Sequence, residues 1–163
     1  MEGVICFTVR RYCYNSRIDE MSDLARSVET HKALAHPVRQ RLVAMLRGGE
    51  LCVCQMTVVL ELAASTVSAH LADLKRAGLL VETKTGRFVS YRWSGERAAA
   101  AQLAEVAARI AKDPRVVADE KLVKSLRRVD VEKLCRVELD LARVGIRRPR
   151  SGLARTRREE RAS

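Results

Sequence analysis

The chain has 163 residues, 47% of them apolar and 4% aromatic, and carries a formal charge of +11. That length allows one domain with a proper core plus an extension, and is too short for two full domains. No apolar run reaches the roughly 18 to 20 residues that a membrane-spanning helix needs, so no membrane partner is expected.

The charge is unevenly placed. Between Arg143 and Ser163 there are eight Arg and two Glu, whereas the first twenty residues hold three Arg and three acids. The remaining excess lies between Met21 and Ala142, and a basic body of this kind calls for an anionic partner.

Residues 1–20 begin MEGVICFTVRRYCYN, with neither the long apolar core nor the small-residue cleavage site of a signal peptide. Met21-Ser22-Asp23-Leu24 reads as a second natural start, so residues 1–20 are set apart as an N-terminal extension that an upstream start codon would create. Five cysteines without an export signal point to a reducing, cytoplasmic setting in which thiols stay free for metals or oxidants.

Ser22 or Asp23 is placed to cap a helix that runs to about Ala35. Pro37 suits the first turn of the next helix, VRQRLVAMLRGG, which Gly48-Gly49 ends. Leu51-Cys52-Val53 is short and β-branched and reads as a brief extended segment, with helix expected from Gln55 to Leu62. Ala63-Ala64 is a tight link, and Ser65 is expected to cap a second helix from Thr66 to Ala77 that Gly78 stops.

In that second helix Val67, Leu71 and Leu74 fall at i, i+4 and i+7 and must face a core. The opposite side carries Ser65, Ala69, Ala72 and Arg76, flanked by Thr66, Ser68, Asp73 and Lys75. His70 falls between the core edge and solvent, as a boundary residue or phosphate donor. Such a helix enters a major groove with its N-terminal hydroxyls toward base edges and Lys75 and Arg76 toward phosphates. The bland alternative is an amphipathic helix in a small α domain, since winged helices also bind proteins.

Val89, Tyr91 and Trp93 alternate with Ser90 and Arg92, the period of a strand with one buried face. With Lys84-Thr85-Gly86 as the turn, Leu79 to Trp93 reads as a β-hairpin whose tip, Lys84 and Arg87, reaches a neighbouring groove or its phosphates. The fold class is therefore mainly α with a small β-hairpin, a winged helix-turn-helix.

GERAAAAQLAEVAARIAKD follows as an alanine-rich helix whose apolar stripe is Leu103, Val106, Ala107 and Ile110. Asp113-Pro114 breaks it, and further helix is expected to about Val144, with Leu122, Leu126, Val129, Leu134, Val137, Leu141 and Val144 at helical spacing and Asp130 capping its second half. From Gly145 the chain has neither periodicity nor a hydrophobic face. The expected organisation is an extension at 1–20, a DNA-binding and dimerisation domain at 21–112, a helical extension at 113–144 and a basic disordered tail at 145–163.

ELCVC, then STVSAHLADLKRAGLL, then GRFVSYRW together resemble the ArsR/SmtB repressor family over roughly Met21 to Ile110. The resemblance implies a homodimer reading a palindromic operator in double-stranded DNA, with its interface on the outer helices: Leu24 and Val28 from the first, Leu103, Val106, Ala107 and Ile110 from the alanine-rich one. In the arsenic-sensing branch the ELCVC cysteines bind As(III) or Sb(III), which releases the DNA; no permanent cofactor is implied. This chain has Ala69 where members often carry a basic residue, and Thr57 where one version of the motif has a third cysteine.

As(III) prefers three thiolates, and soft sulfur selects it over hard, oxygen-seeking ions. Cys52 and Cys54 supply two. Residues i and i+2 lie 200° apart on a helix, so joint chelation demands non-helical backbone. Cys135 in VEKLCRVEL is the favoured third ligand, with Cys6 or Cys13, a small-molecule thiol or no third ligand as alternatives; its bland reading is a small buried apolar residue. Responses to Cd(II) or Pb(II), or to thiol oxidation of Cys52 and Cys54, are the competing regulatory readings. The alanine-rich helix lacks the His or Cys of a zinc site, and CxC outside a strand-then-helix redox context argues against an enzyme.

Overall fold

The computed structural model describes residues 21–137 and 139–149. Expectations that fall on residues 1–20, among them Cys6 and Cys13, and on the tail from Arg150 lie outside the described residues.

Helix α1, Asp23–Leu34, is capped by Ser22, whose side chain accepts from Ala25 N. Helix α2, Pro37–Leu46, starts with Pro at the first turn, where its missing N–H costs nothing, behind a His36 cap. A two-residue strand β1, Leu51–Cys52, passes directly into helix α3, Val53–Leu60. Helix is present two residues earlier than expected, because Gln55 closes the first turn by accepting from Cys52 N at 2.9 Å.

Glu61 ends α3 in the left-handed region at φ 57. Helix α4 then runs Ala64–Arg76 with Ala63 at its cap position and no side-chain capping bond. Ser65 therefore lies inside the first turn and is not the cap. Strands β2, Leu80–Thr85, and β3, Phe88–Trp93, pair antiparallel in register Leu80↔Trp93 to Thr85↔Phe88. The turn is Gly86-Arg87, and Lys84 sits within β2 opposite Val89. Gly86 supplies the positive φ of 58 that a two-residue hairpin turn requires.

The sheet has the order β1-β3-β2, so the strand bearing Cys52 pairs with the wing strand, Cys52 opposite Ser90. Helix α5, Arg97–Ile110, packs on α2. Asp113 then caps α6, Pro114–Leu126, accepting from the amides of Arg115 and Val116. Asp130 caps α7, Val131–Arg136, accepting from Lys133 N at 3.0 Å. The expected helix to Val144 stops here; Leu139 takes a left-handed φ of 64, and only a 3-10 turn, Ala142–Val144, follows.

One core joins these elements. Leu42, Leu46, Leu51, Met56, Leu71, Leu74, Leu79, Leu103, Leu126 and Leu134 are all fully buried. Helices α6 and α7 thus belong to the same core as the helix-turn-helix, and both pack on α3. No single described helix is long and apolar enough to cross a membrane.

Candidate thiol site and reading surface

Cys52 is extended, at φ −73 and ψ 149, while Cys54 is the second residue of α3. The pair straddles a strand-to-helix junction, so the helical arithmetic that would aim the two sulfurs apart does not apply. Cys135 Sγ donates to Cys54 Sγ, and Cys52 is the third thiol beside them. The Sγ atoms of Cys54 and Cys135 are 3.2 Å apart. Burial, followed by those two thiol contacts, pushes the Cys54 thiol well above its ordinary range. Cys52 is buried, Cys54 and Cys135 half-buried, and all three are free.

Among the described residues no three His, Cys, Asp or Glu side chains stand in a ready metal-holding arrangement. Closing the three thiols on one ion therefore requires their side chains to adjust. The Thr57 hydroxyl, one turn beyond Cys54, is buried with no hydrogen-bond partner among the described residues.

The C-terminal extension grips both ends of α3. At the front, Gln55 Nε2 donates to Leu126 O at 3.2 Å, and Arg127 donates to the carbonyls of Glu50 (2.9 Å) and Gly49 (3.0 Å). At the back, Arg148 donates to Val58 O (2.6 Å) and Val59 O (3.2 Å) and pairs with Glu61 at 3.1 Å. These carbonyls belong to the last turn of α3, where no intrahelical donor reaches them. A part-buried ion pair, Arg41 to the buried Asp119, ties α2 to α6. None of these anchors is legible in the sequence except through the Cys-x-x-Gln spacing at 52–55, a capping pattern.

On α4, Val67, Leu71 and Leu74 are fully buried, leaving Ser65, Ser68, Ala69 and Arg76 exposed and Thr66 half-buried. His70 is a correction: it is 8% exposed and packed against His36, ring centroids 4.5 Å apart and planes tilted by 36°, and so faces inward. Burial, then neighbouring positive and imidazole groups, lowers both histidines from their ordinary value. Lys75 is half-buried and tied to Glu82 at 2.9 Å, and Tyr91 donates to the same carboxylate at 2.8 Å. Those donors hold Glu82 below the usual carboxylate range. Lys84 and Arg87 are exposed on the hairpin, Arg87 with its guanidinium 3.4 Å from Glu132.

Of the expected interface residues, Leu24 and Val28 are exposed, at 76% and 42%. Leu103 and Ala107, expected at the interface, are 0% and 2% exposed, because the inner face of α5 is buried in this chain's own core. Val106 and Ile110 are half-buried at the edge of that face.

The family described as "Bacterial regulatory protein, arsR family" matches residues 36–81. The arsenic resistance transcriptional regulator ArsR1 of Pseudomonas putida is 45% identical over 62 residues, covering 37% of this chain and 48% of that protein. The arsenical resistance operon repressor of Escherichia coli K12 is 40% identical over 68 residues, covering 41% and 58%. The chain thus spans about half the length of these curated relatives. Among solved structures, HlyU from Vibrio cholerae N16961 matches with a TM-score of 0.52 and 31% identity, over 56% of this chain and 100% of that one.

Proposed function

The chain belongs to the arsR family of bacterial regulatory proteins, and from that premise we propose that it is a transcriptional repressor that binds operator DNA as a homodimer and is released when As(III) or Sb(III) engages Cys52, Cys54 and Cys135. The observation that carries this reading is the approach of Cys135 to Cys54, at 3.2 Å, beside Cys52. In this reading residues 21–112 read DNA and pair with a second copy, and residues 113–144 bring the third thiolate.

The donor set fits a trivalent metalloid. Three thiols displacing three hydroxyls from As(OH)3 release three waters and leave a neutral adduct, whereas Cd(II) or Pb(II) with three thiolates leaves a negative one. Cys52 is 3% exposed, and a neutral product is far cheaper to bury than an ion. Release follows from where the pair sits. Binding that draws Cys52 and Cys54 toward Cys135 pulls on the start of α3, which only Glu61, Leu62 and Ala63 separate from α4. A ligand favouring the DNA-incompetent arrangement shifts the population toward it, and a tenfold loss of operator affinity needs about 1.4 kcal/mol of coupling.

DNA reading is supported by α4. Its exposed face carries Ser65, Ser68, Ala69 and Arg76, and its first-turn amides have no side-chain cap, which suits them to a phosphate. Pairing is supported by Leu24 and Val28, apolar and exposed on α1. A second reading, a Cys54–Cys135 disulfide formed by peroxide, is favoured by the same short separation. The burial that keeps the Cys54 thiol protonated opposes it by slowing attack on the oxidant.

The test is fluorescence anisotropy on a duplex from the protein's own promoter against a scrambled one, titrated with As(III), Cd(II) and hydrogen peroxide. Release by As(III) alone, abolished in Cys52→Ser, supports the proposal. Equal binding to both duplexes refutes a specific repressor, and release by Cd(II) or peroxide alone transfers the site to one of the other readings.

A further inference from the structure

Helix α7 touches two places at once. It is six residues long, fixed by the Asp130 cap at one end and by the fully buried Leu134 in its middle. Glu132 and Cys135 are three residues apart and so share a side of the helix. Cys135 meets Cys54, while Glu132 meets Arg87 at the tip of the wing. The Arg87 guanidinium also lies over the Phe88 ring, 5.0 Å from its centroid, so two neighbours set its position. Glu132 is shared with Arg136, 3.9 Å away on the same helix.

We infer that Glu132 is a built-in competitor for the wing: its carboxylate occupies the Arg87 guanidinium that a DNA phosphate would otherwise take, and α7 passes the state of the thiol cluster to the hairpin tip. The inference rests on the DNA-release reading above. Carboxylate and phosphate both match the guanidinium fork, so Arg87 exchanges one for the other on meeting DNA. The Arg87 and Glu132 side chains are 65% and 52% exposed, which makes the pair weak enough to exchange. A metalloid that joins Cys135 to α3 restrains α7 and keeps Glu132 opposite Arg87. Without metalloid the pair still forms, 3.4 Å apart, but α7 is held only by its cap and Leu134, so Arg87 more readily exchanges Glu132 for the phosphate.

The experiment compares wild type, Glu132→Gln, Arg87→Ala and the double variant by operator anisotropy, over a salt series, with and without As(III). Glu132→Gln is expected to bind metalloid-free operator roughly two- to five-fold tighter. Its loss of affinity on adding As(III) should be smaller than that of wild type, with As(III) affinity lowered by no more than that same coupling factor. In the Arg87→Ala background the same substitution should do nothing, and the salt slope should be shallower by about one. If Glu132→Gln tracks wild type, or acts equally without Arg87, the carboxylate does not compete for the wing and the inference falls alone. If wild type neither binds its operator nor responds to As(III), the functional reading falls and takes this inference with it.

Discussion

The sulfur of Cys135 lies 3.2 Å from that of Cys54, 81 residues earlier in the chain. Leu134 brings it there: fully buried, it docks α7 on the core and leaves its neighbour facing α3. Cys135→Ser is expected to leave operator affinity intact and lower As(III) affinity on the order of 100-fold, since even changes beyond the ligands cost ten- to a hundred-fold. Titration followed by sulfur-to-arsenic absorption in the near ultraviolet reads this directly. An unchanged affinity would move the third donor away from Cys135.

Arg148 finishes a helix that its own sequence leaves open. It donates to the Val58 and Val59 carbonyls and pairs with Glu61, the left-handed residue that ends α3. The charged donor is over a third exposed, so its loss is discounted to about 1 kcal/mol. Arg148→Ala should lower the melting temperature by about 2–4 °C and speed amide exchange in the last turn of α3. Exchange that stays as slow as in wild type would show the cap to be idle.

Asp119 and Arg41 meet through two hydrogen bonds, 2.7 and 2.8 Å long, with Asp119 only 6% exposed. Burial holds the Asp119 carboxyl above its ordinary value while the Arg41 guanidinium pulls it back, so the pair itself gains little. Removing one member is the costly change. Asp119→Ala should cost about 2–4 kcal/mol in chemical denaturation, and Asp119→Asn less. Arg41→Met with Asp119→Leu should recover most of the loss, because an apolar pair escapes the desolvation cost. A double variant as unstable as Asp119→Ala would contradict this.

The neighbouring His36 and His70 rings set a pH dependence. Both are lowered from 6.5 by burial first, then by Arg39 for His36 and by His36 and Arg39 for His70, with Asp73 opposing. The unfolded chain therefore binds protons that the folded chain refuses, and stability rises with pH through this range. It is lost as pH falls below about 6.5. The urea midpoint should drop between pH 7.5 and pH 5.5. His36→Asn keeps a capping oxygen and should flatten that slope. A midpoint that rises on acidification would reverse the sign and refute the assignment.

Local chemistry announced much of this fold. Ser22, Pro37, Asp113-Pro114 and Asp130 cap or open their helices where their residue types say they should. The Val67, Leu71 and Leu74 stripe is buried as its spacing says, and the wing strands pair as expected, although only Tyr91 of the Val89, Tyr91 and Trp93 face is fully buried. The misreadings occurred where one face has two candidate partners. Leu103 and Ala107 marked a buried face on α5, but periodicity is silent on whether a face meets its own chain or a second copy. His70 sat at the edge of a helical wheel, and His36 on another helix decided its burial. The docking of the extension was illegible for a different reason. Leu126, Glu50, Gly49, Val58 and Val59 take part through backbone carbonyls, which leave no mark in a side-chain pattern.

The Gln55 amide ties two stretches of one gene to a common fate. Its oxygen holds the Cys52 amide and its nitrogen holds the Leu126 carbonyl, both inside the protein. Without the extension that nitrogen loses its partner, and without Gln55 the extension keeps Arg127 beside the thiols but leaves the Leu126 carbonyl open. A descendant that discards the extension must also change residue 55, and a relative acquiring such an extension by fusion gains little until a suitable polar residue stands there. The two stretches are in this sense inherited together, through a residue that carries neither a charge nor a thiol.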